Sequence, residues 1–356
     1  MAHLSDLART AGELCLLHRC KEAVACWEEA CSVTPGDSNL HYQLAVCYSR
    51  DCHAQGLQDP PVAIYHYRRA LALMPRENAL ARATLLGDLG NTYLLAAQPS
   101  KASLLTSIDC FQQAAEIYLE SGKQDDWARE QYNLGNTWCE MPETEFPAKW
   151  EKAIGYFEQA LSIRRREKDR ERHAATLQNL GTAYRELKSG NRAVNIRRAL
   201  HCYCETMRMV RASAASRRWA ALQHDLGNAY LTLAFTGEDR VRNTRRAIRH
   251  LNRALTVRTK IQSPFDYAAT QLSRGEAFLQ MAVAGVGDPC SLNQARACFQ
   301  EAEDSFTQAG RMDLAKAARQ RRQRIAGGPG DGLTAAAQSD FSRSPSQRLE
   351  EELRIH

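Results

Sequence analysis

Five stretches of this chain place a glycine inside a segment of helical periodicity: "LLGDLGNTYLLA", "YNLGNTWCEM", "TLQNLGTAYREL", "ALQHDLGNAYLTL" and "QLSRGEAFLQM". The glycines are Gly90, Gly135, Gly181, Gly227 and Gly275, at intervals of 45, 46, 46 and 48 residues. An interior glycine costs a helix about 1 kcal/mol relative to alanine, so its return in register calls for a compensating contact. Gln131, Leu134, Gly135 and Trp138 fall at i, i+3, i+4 and i+7 and share one helix face. A glycine on that face lets a second helix approach closely.

The second helix is legible downstream. After the connector "MPETEFPAK", the segment "WEKAIGYFEQALSI" carries Ala153, Phe157, Ala160 and Leu161 as another stripe. The same small–large–small spacing recurs as Ala63, Tyr67, Ala70; Ser107, Phe111, Ala114; Ala199, Tyr203, Thr206; Ala247, Leu251, Ala254; and Ala295, Phe299, Ala302. Two such helices joined by a loop form a hairpin. Small residues on both, Gly135 with Ala153 and Ala160, are expected to set the approach while larger neighbours interlock.

These residues resemble the tetratricopeptide repeat family, whose unit pairs a Trp/Leu/Gly/Tyr first helix with an Ala/Phe/Ala/Pro second helix. Leu7, Ala11, Leu14, Ala23, Trp27, Ala30 and Pro35 follow the pattern at normal spacing; Leu44, Ala45, Tyr48, Ala63, Tyr67, Ala70 and Pro75 match it with an insertion in "SRDCHAQGLQDPP". Later units are longer than the standard 34 residues. That long form is similar to arrays found beside bacterial caspase-like (CHAT) protease domains and in kinesin light chains. The resemblance spans residues 3–310 and implies an all-α, right-handed superhelical solenoid of seven hairpins. The expected units are 1–36, 37–76, 77–121, 122–168, 169–214, 215–261 and 262–310. A capping helix follows at 311–326, with Leu314, Ala318 and Ile325 facing the last repeat and its arginines facing water. The Gly/Ser/Pro-rich stretch 327–356 reads as a disordered tail.

No catalytic framework accompanies this pattern. There is no Gly-x4-Gly-Lys-Ser/Thr loop, no His-Glu-x-x-His and no Gly-x-Ser-x-Gly, and "GGPGDG" at 327–332 lacks the strand a phosphate loop needs. His224 and His250 read as surface or groove residues rather than a catalytic pair. Half of the twelve cysteines precede residue 53, near His18, His41 and His53, yet no Cys-x-x-Cys pair occurs. Buried thiols between helices are expected in preference to zinc. The N-terminus lacks a signal-peptide pattern and no apolar run reaches the roughly 18 residues of a membrane span. A soluble, cytoplasmic, non-enzymatic protein without cofactor or small-molecule substrate is the expectation.

Two surfaces carry the binding expectation. In the resembled family the residue after each glycine faces the concave groove; here these are Asn91, Asn136, Thr182, Asn228 and Glu276. Asparagine is a mediocre helix residue, and an amide both donates to and accepts from a peptide backbone. Asn91, Asn136 and Asn228, flanked by Tyr132, Gln178, His224 and Arg185, are therefore candidate groove residues; bonding between neighbouring repeats is the alternative. The second surface is electrostatic. Residues 161–260 hold 23 Lys/Arg against 8 Asp/Glu, a net of +15, whereas the rest of the chain sums to −9. Within that zone "RVRNTRRAIRHLNRALTVRTK" supplies Arg242, Arg245, Arg246, Arg249 and Arg253 as a basic patch. Such a field attracts an acidic protein segment or, as the second reading, nucleic acid.

Overall fold

In the computed structural model several helices start at residues whose side chains cap them. Asp37 caps the helix Ser38–Val46 by accepting from the Asn39 and Leu40 amides, and Asp59, followed by Pro60 and Pro61, caps Pro60–Leu73 by accepting from Val62 N. Ser100, Asp169, Asn191 and Ser216 do the same for Lys101–Glu120, Arg170–Glu186, Arg192–Met209 and Arg217–Phe235. The helices Lys101–Glu120 and Ser291–Gln308 are followed by Gly122 (φ +69°) and Gly310 (φ +73°). The amide three residues past each helix then reaches back five residues, Lys123 N to Tyr118 O at 2.8 Å and Arg311 N to Phe306 O at 2.9 Å.

The structure describes residues 2–17, 19–51, 58–95, 99–164, 169–210, 216–284 and 290–325. The expected tail 327–356, the "GGPGDG" run, His18, Cys52 and His53 lie outside them. Among the described residues there are fifteen α-helices and no strand. In order they are α1 (Ala2–Leu16), α2 (Cys20–Val33), α3 (Ser38–Val46), α4 (Pro60–Leu73), α5 (Ala79–Tyr93), α6 (Lys101–Glu120), α7 (Gln124–Glu140) and α8 (Lys149–Ile163). There follow α9 (Arg170–Glu186), α10 (Arg192–Met209), α11 (Arg217–Phe235), α12 (Arg240–Leu255), α13 (Pro264–Val283), α14 (Ser291–Gln308) and α15 (Met312–Arg324). A π-helical turn, Cys47–Asp51, extends α3. The chain divides into two compact units, Met1–Lys168 and Asp169–His356. The first contains four consecutive helix pairs, α1/α2 to α7/α8. The second contains α9/α10, α11/α12 and α13/α14, with α15 packed on α14.

The recurring glycine is a socket for a ring. A Cβ on Gly135 would lie 2.5 Å from Phe157 Cε1; on Gly90, 2.7 Å from Phe111 Cε1; on Gly181, 2.8 Å from Tyr203 Cε1; on Gly275, 2.7 Å from Phe299 Cε1. Gly227 meets Leu251 Cγ at 2.7 Å, the one aliphatic member. The alanines expected to face the glycines instead flank the large residue. Ala153 and Ala160 lie a turn either side of Phe157, all three fully buried. Burying such a phenylalanine contributes about 2–3 kcal/mol, which outweighs the propensity cost of the glycine. In the α3/α4 pair the corresponding residue is Ala45, fully buried in the same cluster as Tyr67. The glycine socket is thus confined to the longer units. Between α5 and α6 the small second-helix residue also bonds directly, Ser107 Oγ donating to Gly90 O at 2.9 Å.

The last helix departs from expectation in one respect. Leu314, Ala318 and Ile325 are buried in the core shared with α13 and α14, but the arginines of α15 do not all face water. Arg321 is 6 % exposed and donates from Nε to Glu276 Oε1 at 2.7 Å. Arg319 and Arg322 meet Glu303 at 2.7 and 3.0 Å. Once Glu276 is buried beneath a closing helix, its charge needs a partner, and Arg321 supplies it.

Candidate functional site

In the first unit the first helices α3, α5 and α7 frame a recess of about 360 Å³. Its floor is a closed polar network. Glu130, with no exposed side-chain surface, accepts from Arg129 Nε (2.9 Å) and Asn133 Nδ2 (3.0 Å). Its carboxylate lies against Gly87, where a Cβ would sit 3.2 Å from Oε1. Burial raises the Glu130 pKa, opposed by the Arg129 guanidinium. Arg129 also donates to Asp126 (2.7 Å) and to Tyr118 Oη (3.1 Å), which pairs with Thr84 Oγ1 (3.1 Å). On the opposite wall Tyr42 Oη donates to Asp88 Oδ2 at 3.0 Å. Asn91 stands at the mouth, exposed, and its amide makes no hydrogen bond among the described residues. Lys123, at the same mouth, has no ion pair among them. Three carboxylates against two cations leave the recess with a net charge of −1.

The corresponding layer of the second unit is filled by its own side chains. Gln178 Nε2 donates to Asp225 Oδ2 at 3.0 Å. Arg185, 8 % exposed, donates from Nε to Glu186 Oε1 at 2.9 Å and lies 3.5 Å from Asp225 Oδ1. Burial pushes the Asp225 carboxyl up, and Arg185 opposes this. His224 is held well below its ordinary pKa by burial and by Arg258 and Arg185, so it is neutral. Thr270 Oγ1 donates to Asp266 O (2.7 Å) and accepts from Arg258 (3.0 Å), which assigns the His224 proton to Nδ1, 3.2 Å from Oγ1. His224 Nε2 then accepts from Asn228 Nδ2 at 2.9 Å. Gln178, Arg185, His224 and Asn228 are therefore brought together, but as partners of one another and of α13. A ligand reaching them would have to displace these bonds.

The remaining groove candidates lie between these extremes. Asn136 is half-buried and not free of partners. Tyr132 packs on Phe157 with ring centroids 6.0 Å apart, and Arg164 stacks over it at 4.7 Å. Thr182 bonds to Gln178 O and Tyr203 Oη. Glu276, in the same register, is closed off by Arg321. Sequence reasoning overlooked Tyr42, Asp88, Lys123 and Glu130. A signal existed: two positions before each glycine stand Asp88, Asn133, Asn179, Asp225 and Ser273, polar in all five copies.

The five arginines of the basic patch share one side of α12. Arg242, Arg245, Arg249 and Arg253 are exposed, and Arg246 is half-buried over Tyr230 at 5.4 Å. His250 stacks on Tyr230 (5.5 Å, 12°) and bonds Gln223 Oε1 at 2.7 Å. Burial, then Arg253, Arg249 and Arg246, lower its pKa to about 4. Among the described residues no group of three or more His, Cys, Asp or Glu side chains is placed to hold a metal ion, and no helix is long and apolar enough to cross a membrane.

No protein-family model and no curated protein matches the sequence. Solved structures do match. A tetratricopeptide repeat protein from Parabacteroides merdae superposes with a TM-score of 0.56 at 13 % identity, covering 90 % of this chain and 100 % of that one. The apo form of RapI gives 0.51 at 14 % identity, covering 90 % and 97 %. The C-terminal part of a repeat protein from Cytophaga hutchinsonii gives 0.50 at 12 %, covering 87 % and 98 %. With the glycine-socketed hairpins already in view, these likenesses identify the architecture. The chain has the tetratricopeptide-repeat fold, an all-α solenoid of helical hairpins.

Proposed function

We propose that this protein is an interaction scaffold and that the α3/α5/α7 layer of its first unit grips an extended segment of a protein partner. The observation that carries the reading is the contrast between the two units at one register position. Asn91 offers an unused amide beside an open recess with hydrogen-bonded walls, whereas Asn228 is spent on His224. A preformed wall lowers the ordering cost of binding, and an amide pairs with a peptide backbone without demanding a sequence. The excess carboxylate favours a segment that places a lysine or arginine side chain in the recess, with the half-buried Asp88, which already accepts from Tyr42, as one acceptor.

The test is selection of peptides from a random displayed library on the full chain, followed by binding to Asn91→Ala and Asp88→Ala. Enrichment of a basic residue, with at least about fivefold weaker binding in both variants, is expected, since each removes a bond worth about 1–3 kcal/mol. Peptides indifferent to both substitutions would refute the site.

A further inference from the structure

Helix α12 carries a row of four arginines, three of which have no ion pair among the described residues. Arg242, Arg245, Arg249 and Arg253 recur at i, i+3, i+7 and i+11, a straight line of about 16 Å along the exposed side of the helix. Nearby carboxylates are already committed, Glu238 to Arg197 and Asp239 to Arg242 at 3.8 Å. Arg245, Arg249 and Arg253 have no ion pair among the described residues. The first four arginines of the helix border an open recess of about 650 Å³ together with Arg249. End-charge complementarity explains only Arg253, in the last turn. Arg242 and Arg245 lie toward the opposite end, where the dipole disfavours positive charge.

We infer that this stripe is the docking surface for a helical protein segment bearing Asp or Glu at three- and four-residue intervals. The inference rests on the scaffold reading but concerns a different surface. Carboxylates at that spacing on a helix sit about 5–6 Å apart, matching the repeat of the arginines turn for turn. Guanidinium groups bind carboxylates in two-pronged pairs that lysine cannot form. The exposed positions beside the stripe, Asn252 and Thr256, are polar as well, so the contact is electrostatic and salt-labile rather than apolar.

Nucleic acid fits less well, for two reasons. A single strand needs free aromatic faces for its bases, and the ring beneath the stripe is occupied. Tyr230 is engaged by His250 and Arg246. A duplex is read by a recognised motif, and the sequence carries none.

The experiment measures fluorescence anisotropy of the full-length chain with three labelled probes. One is an alanine-based helical peptide with glutamate at alternating three- and four-residue spacing; the second is the same composition with its glutamates scrambled around the helix; the third is oligothymidine. The ordered peptide is expected to bind more tightly than the other two and to weaken steeply as salt rises. Arg245→Glu/Arg249→Glu/Arg253→Glu is expected to weaken it at least about tenfold, and the corresponding triple Arg→Gln variant by less. Unchanged circular dichroism shows that both variants stay folded. Equal binding of the scrambled peptide, tighter binding of oligothymidine, or indifference to both triple variants would overturn the inference. Loss of the ordered peptide in Asn91→Ala would also overturn it, because the probe would then occupy the α3/α5/α7 layer, leaving the scaffold reading intact.

Discussion

Adding one methyl group to α7 or to α8 is expected to change stability in opposite directions. A Cβ at position 135 would stand 2.5, 2.7 and 2.9 Å from three ring atoms of Phe157, which is fully buried between Ala153 and Ala160. The ring is hemmed in by its buried neighbours, so the hairpin must widen to admit the methyl group. Overpacking of this kind costs about 1–3 kcal/mol, while replacing a helical glycine by alanine returns about 1 kcal/mol. Gly135→Ala should therefore destabilise by about 1–2 kcal/mol. Gly155 lies in α8 of the same hairpin with nothing within 4 Å of its Cβ position. Gly155→Ala pays no steric cost and should stabilise by about 0.5–1 kcal/mol. Urea unfolding followed by circular dichroism gives both signs, and hydrogen exchange localises the change to α7 and α8. A third variant, Gly135→Ala/Phe157→Leu, separates overlap from propensity. The two substitutions should couple favourably, because the shorter side chain vacates the space the methyl needs. If Gly135→Ala stabilises as much as Gly155→Ala, the socket does not exist and the packing logic fails.

Three further outcomes follow from buried polar contacts. Arg321→Ala removes the guanidinium 2.7 Å from the buried Glu276 carboxylate, which should cost about 3 kcal/mol and expose α15 to limited proteolysis; Glu276→Gln in the same chain should restore part of the loss. Asn228→Ala strips His224 Nε2 of its donor and should lower stability by about 1–2 kcal/mol, whereas Asn91→Ala, exposed and unbonded, should leave the urea midpoint unchanged. The third outcome is a pH dependence. His66 is lowered to about 4 by burial and then by His41; His250 is lowered to about 4 by burial and the α12 arginines; His224 is lowered further. The unfolded chain, with imidazoles near 6.5, binds more protons than the folded one. Stability is thus complete above about pH 6.5 and declines as pH falls toward 4. Melting temperatures across that window should show the slope, and His66→Gln/His250→Gln should flatten it.

The hairpins were legible because two periods reinforce each other: helical spacing within each segment, and the return of Gly–small–aromatic contacts after forty-odd residues. What the glycine touches was less legible, since Ala153 and Phe157 both lie on the facing stripe and only coordinates show that the ring enters the socket. The candidate site was legible as a register, not as an outcome. Asn91 and Asn228 are identical in pattern. Their fates diverge because α13 presents Thr270 to His224, a contact 46 residues away, whereas within the first unit Glu130 of α7 lies against Gly87 of α5. Arg321 and Glu276 form the same kind of pair at a distance of 45 residues. Charge pairing across repeats leaves no local spacing to read, which is why α15 was expected to face its arginines to water.

The most direct measurement is backbone amide NMR or hydrogen-exchange mapping of the full chain bound to a library-selected peptide. Protection should appear at Tyr42, Asp88, Asn91 and Lys123 and leave Arg185, Asp225 and Asn228 unchanged. Protection centred on α9 and α11 instead, with the α3/α5/α7 recess unaffected, would contradict the assignment of the open unit as the gripping surface.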